Sequence, residues 1–132
     1  MYKVMALDVG TKRIGIALSD YLRIIANRHS YIPRDKNSIE TIVKIAKENN
    51  VKKIIIGVPY NMDGTQGSQA QDCINFSKEI QGFEIAYEDE RLTSETAEEN
   101  LRNQKIDFRK DKGLVDVESA RIILEQYLSR NN

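Results

Sequence analysis

A short apolar run that ends in a carboxylate and turns straight back on itself constrains this chain more than any other feature. Tyr2-Lys3-Val4-Met5-Ala6-Leu7 reads as a central strand, Asp8-Val9-Gly10 closes it, and after Thr11-Lys12-Arg13 the chain resumes as Ile14-Gly15-Ile16-Ala17-Leu18-Ser19. Two such segments around a glycine-containing turn predict a hairpin. Asp8 then stands rigidly at its mouth, partly out of water, which suits a carboxylate to hold a cation or a proton. An Asp before a glycine also serves simply to accept backbone hydrogen bonds. Whether other carboxylates converge on it decides between the two.

Along the rest of the chain, Ala26 to Ile32 predicts a third, edge-like strand before Pro33, and His29 on it is read as structural. Asn37-Ser38 caps an amphipathic helix carrying Ile39, Ile42, Val43, Ile45 and Ala46 at helical spacing, with Asn49-Asn50 as its stop. The run Val51 to Ile56 is β-branched and enclosed by a helix and Gly57-Val58-Pro59, as a buried parallel strand is. The loop from Gly57 to Gly67 lacks the Gly-Lys-Ser/Thr of a P-loop, which argues against a nucleotide cradle of that kind. A second helix is predicted from Ser68 to Gln81, stopped by Gly82, and then a strand, Phe83 to Tyr87, again ending in acid at Glu88-Asp89-Glu90-Arg91.

Thr93 or Ser94 caps a third helix. The segment from Asn103 to Lys112 reads as a flexible basic loop, with Lys105, Arg109, Lys110 and Lys112, and no aromatic cluster suggests base stacking. The last helix, Leu114 to Leu128, carries Asp116 in line with Ala120, Ile123 and Tyr127, so Asp116 faces the sheet. Its place in the first turn fits the helix dipole, but its face does not follow from that. A carboxylate turned inward needs a partner.

This order of elements in 132 residues predicts one α/β domain, residues 1–132, built on a five-stranded mixed sheet flanked by helices. Nothing near the start resembles a signal peptide and no run approaches membrane-spanning length, so a cytoplasmic protein with no membrane partner is expected. The lone Cys73 precludes an internal disulfide and reads as a small core residue. Twenty basic and twenty acidic residues balance, so any polyanion binding is local rather than global.

The carboxyl ends of adjacent parallel strands share one edge, where sites form in open α/β sheets. Asp8, Glu90 and Asp116 all reach that edge. Three acids without a His or Lys among them favour a hard divalent cation, Mg²⁺ or Mn²⁺, held through oxygen and able to activate water for phosphodiester hydrolysis. Each acid has cationic neighbours able to meet a nucleic-acid backbone: Lys12 and Arg13, Arg91, and Lys105, Arg109, Lys110 and Lys112.

Four blocks carry a family resemblance: Asp8-Val9-Gly10-Thr11-Lys12-Arg13-Ile14-Gly15-Ile16-Ala17 with Ser19-Asp20; Gly57-Val58-Pro59 with Asn61-Met62-Asp63-Gly64; Asp89-Glu90-Arg91-Leu92-Thr93; and Val115-Asp116. In this order they resemble the YqgF (RuvX) family of RNase H-like nucleases over almost the whole chain. The resemblance implies an RNase H-like fold and metal-dependent catalytic acids at Asp8, Glu90 and Asp116. It also implies a role in maturing the 5′ end of pre-16S rRNA, with ribosomal assembly particles as partners and a monomer or homodimer as the working unit. Between Asn27 and Tyr31 the chain departs from the family pattern, with His29 where a proline is common.

Three other readings stand beside this one. A Holliday junction resolvase acting on structured DNA would use the same fold. A non-catalytic RNA-binding assembly factor would keep the fold without the activity. The Asp-x-Gly-Thr turn also resembles the phosphate hairpin of actin-like and sugar-kinase ATPases, but those need two such domains to enclose a nucleotide.

Overall fold

The computed structural model describes residues 1–90 and 93–131. Five strands, β1 (Lys3–Val9), β2 (Arg13–Ser19), β3 (Ala26–Pro33), β4 (Val51–Val58) and β5 (Glu84–Asp89), form one sheet in the order β3-β2-β1-β4-β5. The β1–β2–β3 meander is antiparallel, and β1, β4 and β5 run parallel. The helices are α1 (Ser38–Glu48), α2 (Ser68–Ser77), α3 (Thr93–Asn103) and α4 (Gly113–Arg130).

Alternation along the central strands separates two cores. Met5, Leu7 and Val9 of β1 pack with Ile14, Ile16 and Leu18 of β2 and with Ile54, Ile56 and Val58 of β4, on the face covered by α1 and α2. Val4, Ala6, Ala17 and Ile55 point the other way, against Ala120, Ile123, Leu124 and Leu128 of α4. Period-two geometry therefore turns Asp8, which follows Val4 and Ala6 at even spacing, toward the α4 side. That face is lined with small residues, so α4 lies close to the sheet. A Cβ on Gly57 would fall 2.4 Å from the Ile123 Cδ1 atom.

Polar ties fix the periphery. Glu118 of α4 is fully buried, yet its carboxylate accepts from Arg28 of β3 at 2.7 Å, from Arg121 at 2.6 and 2.7 Å and from Asn100 of α3 at 3.0 Å. At the other end of α4, Arg130 pairs with the buried Glu88 of β5. Ser19 and Asp20 serve the frame: the Ser19 hydroxyl accepts from the Val4 N–H at 2.8 Å, and Asp20 Oδ1 accepts from the Ile24 and Ile25 N–H groups at 2.7 and 3.0 Å.

Three expectations are adjusted. Helix α2 ends at Ser77 rather than Gln81, giving way to turns before Gly82, whose φ of 90° closes the connection. On the edge strand the register shifts between Ile16–Ser30 and Ala17–Arg28, leaving His29 as an extra, exposed residue. An edge strand accommodates such a bulge, because its outer side carries no ladder to break. The 104–112 segment is braced rather than flexible. The Ile106 N–H donates to the Leu101 carbonyl at 2.9 Å, and the Tyr31 hydroxyl donates to Asp111 at 2.8 Å. No helix among the described residues is long and apolar enough to cross a membrane.

Candidate active site

The three acids reach one place by three different devices. Asp8 lies near the end of β1, opposite Gly15 in the β1–β2 ladder. A Cβ on Gly15 would sit 2.0 Å from the Asp116 carbonyl oxygen, so the first turn of α4 rests directly on the β2 backbone. Only glycine permits that approach. Glu90 stands one residue past β5, its N–H donating to the Val58 carbonyl at 3.1 Å as if the ladder continued. Gly57 makes room for its side chain, since a Cβ there would lie 3.0 Å from the Glu90 Cδ atom. Asp8, Glu90 and Asp116 together line a cleft of about 550 Å³ at the carboxyl edge of the sheet.

Charge in this cleft is tightly constrained. Asp8 and Glu90 stand close enough to perturb each other's ionisation, and both are shifted upward in the cleft. Burial raises both carboxyls above the usual range, and the repulsion of Asp8, Asp89 and Asp116 pushes Glu90 further. Two ionised carboxylates about 4 Å apart would repel by roughly 4 kcal/mol at an effective dielectric of about 20, so a proton or a cation has to intervene. Asp116 is also raised by burial, and Arg13 opposes that rise, donating its Nε–H to Oδ2 at 2.8 Å.

Among the described residues no three Asp, Glu, His or Cys side chains stand close enough to hold a metal ion as they are. Protonation of Glu90, which burial and its acidic neighbours favour, and the guanidinium on Asp116 meet the same electrostatic need. The donor set itself, carboxylate oxygens without a thiolate or an imidazole, suits a hard divalent cation. Two hydroxyls strengthen that fit: among the described residues, Thr93 Oγ1 and Ser119 Oγ are buried without a hydrogen-bond partner, Thr93 lines the cleft, and Ser119 stands near enough to Asp8 to favour its ionised form. Orphaned hydroxyls cost about 1–3 kcal/mol each and mark places where a further polar group fits.

The predicted cations divide. Arg13 is committed to Asp116 instead of projecting freely toward phosphate, because the α4 turn brings a half-buried carboxylate beside it. Arg109 is paired with Asp107 at 3.0 Å. Lys12 is exposed at the tip of the β1–β2 turn, and Lys112 is exposed at the start of α4. Lys105 and Lys110 are exposed on the braced segment and do not line the acidic cleft. Arg91 lies outside the described residues.

Two positioning residues were missed in the sequence. Arg34 donates to the Gly10 carbonyl at 3.1 Å and makes a two-pronged pair with Asp72 at 2.6 and 2.8 Å, clamping the turn that follows Asp8. Asp72 is correspondingly lowered by Arg34. Neither residue stands in a recognisable motif, and only the fold brings them together. Cys73 behaves as expected of a core residue: its thiol donates to the Val9 carbonyl at 3.5 Å, and burial pushes it up to about 12.

Comparisons with known proteins agree with this architecture. A RuvX family model described as "Holliday junction resolvase" matches residues 2–130. A protein of Crocosphaera subtropica named "Putative pre-16S rRNA nuclease" is 44% identical over 135 residues, covering 96% of this chain and 92% of its own. A protein of the same name from Clostridioides difficile is 38% identical over 131 residues, covering 96% and 93%. Among solved structures, Fowlpox virus resolvase, in complex with Holliday junction DNA, superposes with a TM-score of 0.62 at 14% identity over 98% of both chains. Thermus thermophilus RuvC superposes with a TM-score of 0.56 at 8% identity over 99% of this chain and 96% of its own. Those likenesses show the RNase H-like fold shared with resolvases, and the sequence match over nearly its whole length shows that this chain belongs to the RuvX family.

Proposed function

We propose that this protein is a metal-dependent nuclease that hydrolyses phosphodiester bonds, with Asp8, Glu90 and Asp116 as its catalytic acids. The observation that carries the proposal is the meeting of these three acids in one cleft, where burial pushes Asp8 and Glu90 toward their protonated forms and a guanidinium sits on Asp116, a need that a cation would also meet. Asp8, Glu90 and Asp116 would hold Mg²⁺ or Mn²⁺. The ion supplies an activated water and neutralises the leaving oxygen.

The chain's own residues do the rest. Gly15 and Gly57 keep the acids close, and Arg34 with Asp72 holds the turn after Asp8 in place. Lys12 and Lys112, exposed on either side of the acids, attract the phosphate backbone, and Lys105, Arg109 and Lys110 extend that attraction along the braced segment. Arg13, held by Asp116, would be free to meet a phosphate oxygen if a cation were held by Asp116 instead.

The preferred substrate is pre-16S rRNA, at the step that matures its 5′ end in the cytoplasm, in keeping with the names of the relatives. The family description makes a four-way DNA junction the second substrate to consider. The test is to offer the purified protein an rRNA precursor fragment and a four-way junction, each with Mn²⁺ and with chelator. Cleavage of the RNA that requires metal and vanishes in Asp8→Asn supports the proposal. Equal cleavage by Asp8→Asn and the parent would overturn the assignment, and faster cutting of the junction by a dimer would favour the second substrate.

A further inference from the structure

The acidic cleft does not stand alone. It shares Ser94 and Asp116 with a neighbouring groove of about 480 Å³, and that groove shares Phe108 and Arg109 with a third hollow of about 350 Å³. One trough therefore leads from the acids across the braced segment. Its middle differs in chemistry from its acidic end: Phe108 and Val115 give it an apolar floor, and Arg13, Arg109 and Lys112 stand on its walls beside Glu98 and Asp116, with Arg13 paired to Asp116 and Arg109 to Asp107. Lys112 makes no ion pair among the described residues.

Phe108 is half-buried and well supported. The Arg102 guanidinium lies 5.7 Å from its ring centroid, and the Arg109 N–H donates to the Asp107 carboxylate at 3.0 Å, holding the turn that presents the ring. A ring fixed in this way loses little entropy on receiving a ligand. An apolar floor has nothing to offer a phosphate, and cationic walls have nothing to offer a hydrocarbon. Together they match a flat, apolar-faced group that carries anions beside it, which is a nucleotide. Aromatic side chains in nucleic-acid grooves stack unpaired bases with little regard to sequence, whereas a paired base keeps its faces within the duplex.

We propose that this groove receives one unpaired nucleobase of the strand being cut, stacked on Phe108, with Lys112 on an adjacent phosphate. The proposal rests on the nuclease reading and narrows its substrate to a strand that is single or locally unwound next to the scissile phosphate. A continuous duplex would reach the acids without filling the groove.

The chain contains no tryptophan, so Phe108→Trp introduces a single fluorescent reporter into the groove. In chelator, where nothing is cut, the parent, Phe108→Leu and Phe108→Trp are titrated with short oligouridylate, oligothymidylate and a duplex of equal length. Thermal unfolding checks that each variant folds. Phe108→Leu is expected to weaken both single strands about tenfold, toward the lower end for the loss of one stacked base because leucine keeps some apolar contact, and the duplex less than about twofold. Phe108→Trp retains binding, and its emission is quenched by the single strands but not by the duplex. Unchanged single-strand affinity in Phe108→Leu, equal losses for single strand and duplex, or a tryptophan blind to single strands would each overturn the proposal. Cleavage in Mn²⁺ separates the two claims. Quenching of Phe108→Trp by single strands alongside a parent that never cuts sinks the nuclease reading and leaves the groove standing, whereas a parent that cuts while Phe108→Leu binds as before sinks the groove alone.

Discussion

Replacing Gly15 by alanine tests how the fold builds the site, because the substitution adds one methyl group where two backbones touch. The new Cβ would lie 2.0 Å from the Asp116 carbonyl oxygen, 2.3 Å from its carbonyl carbon and 2.9 Å from the Val117 nitrogen. Ordinary contact begins near 3.4 Å, so the first turn of α4 has to retreat by about 1.4 Å, the difference between 3.4 and 2.0 Å. No side-chain rotation relieves a clash with backbone. A misplacement of roughly 1 Å at a catalytic group costs on the order of a hundredfold in rate, and overpacking of this kind costs about 1–3 kcal/mol in stability. Gly15→Ala should therefore fold, melt several degrees below the parent and cleave its nucleic-acid substrate about a hundredfold more slowly in Mn²⁺. Ile42→Val is the matched control: Ile42 is fully buried on the opposite face of the sheet, and the change costs about 0.5–1.5 kcal/mol without touching α4. The reasoning fails if Gly15→Ala turns over at the parental rate, or if Ile42→Val loses as much activity.

Other substitutions should act through charge. Burial opposes ionisation of Glu118, but Arg121, Arg28 and Asn100 outweigh it and hold the carboxyl at about 2 instead of the usual 4.5. A lowered carboxyl stabilises the fold above its unfolded value and loses that contribution as pH falls from about 4.5 to about 2. Acid unfolding should thus be less steep over that window in Glu118→Gln than in the parent, and circular dichroism on acid titration measures it. Glu118→Ala, which takes from Arg28, Arg121 and Asn100 the acceptor they share, should lower stability at neutral pH by about 1–3 kcal/mol in urea unfolding. Glu90 has the opposite sign: its raised carboxyl favours the protonated fold, so in chelator stability should decline as pH rises above the ordinary carboxylate range. Glu90→Gln should remove that decline and melt higher than the parent at pH 8 while losing cleavage, and an unchanged melting profile would count against a protonated Glu90 in the fold.

Where the elements lie was written in local pattern. The hairpin around Asp8, the β-branched run of β4 and the α4 stripe through Ala120 and Ile123 each followed from spacing alone, and so did the inward face of Asp116. What spacing did not carry was contact between segments far apart in the chain. Gly15 reads locally as a weak strand residue, and its purpose appears only when α4 is laid across it. Arg13 looked like a free cation until the fold set Asp116 beside it, and Arg34 and Asp72, 38 residues apart, had no shared motif to connect them. The 104–112 segment looked flexible because its composition is polar, yet its restraints come from Leu101 and Tyr31. Phe108 was passed over because a search for aromatic clusters discounts a single ring that becomes useful through a cavity.

Calorimetric titration with Mn²⁺ at neutral pH, repeated in two buffers of different protonation enthalpy, most directly measures whether Asp8, Glu90 and Asp116 serve a common ion. A cation held by these acids must displace the proton that burial and acidic neighbours keep on Glu90, so binding should release about one proton. Asp8→Asn, Glu90→Gln and Asp116→Asn should each weaken that binding at least about tenfold, the scale expected for losing a ligand or its support. Binding without proton release, or affinity indifferent to all three substitutions, would contradict the account.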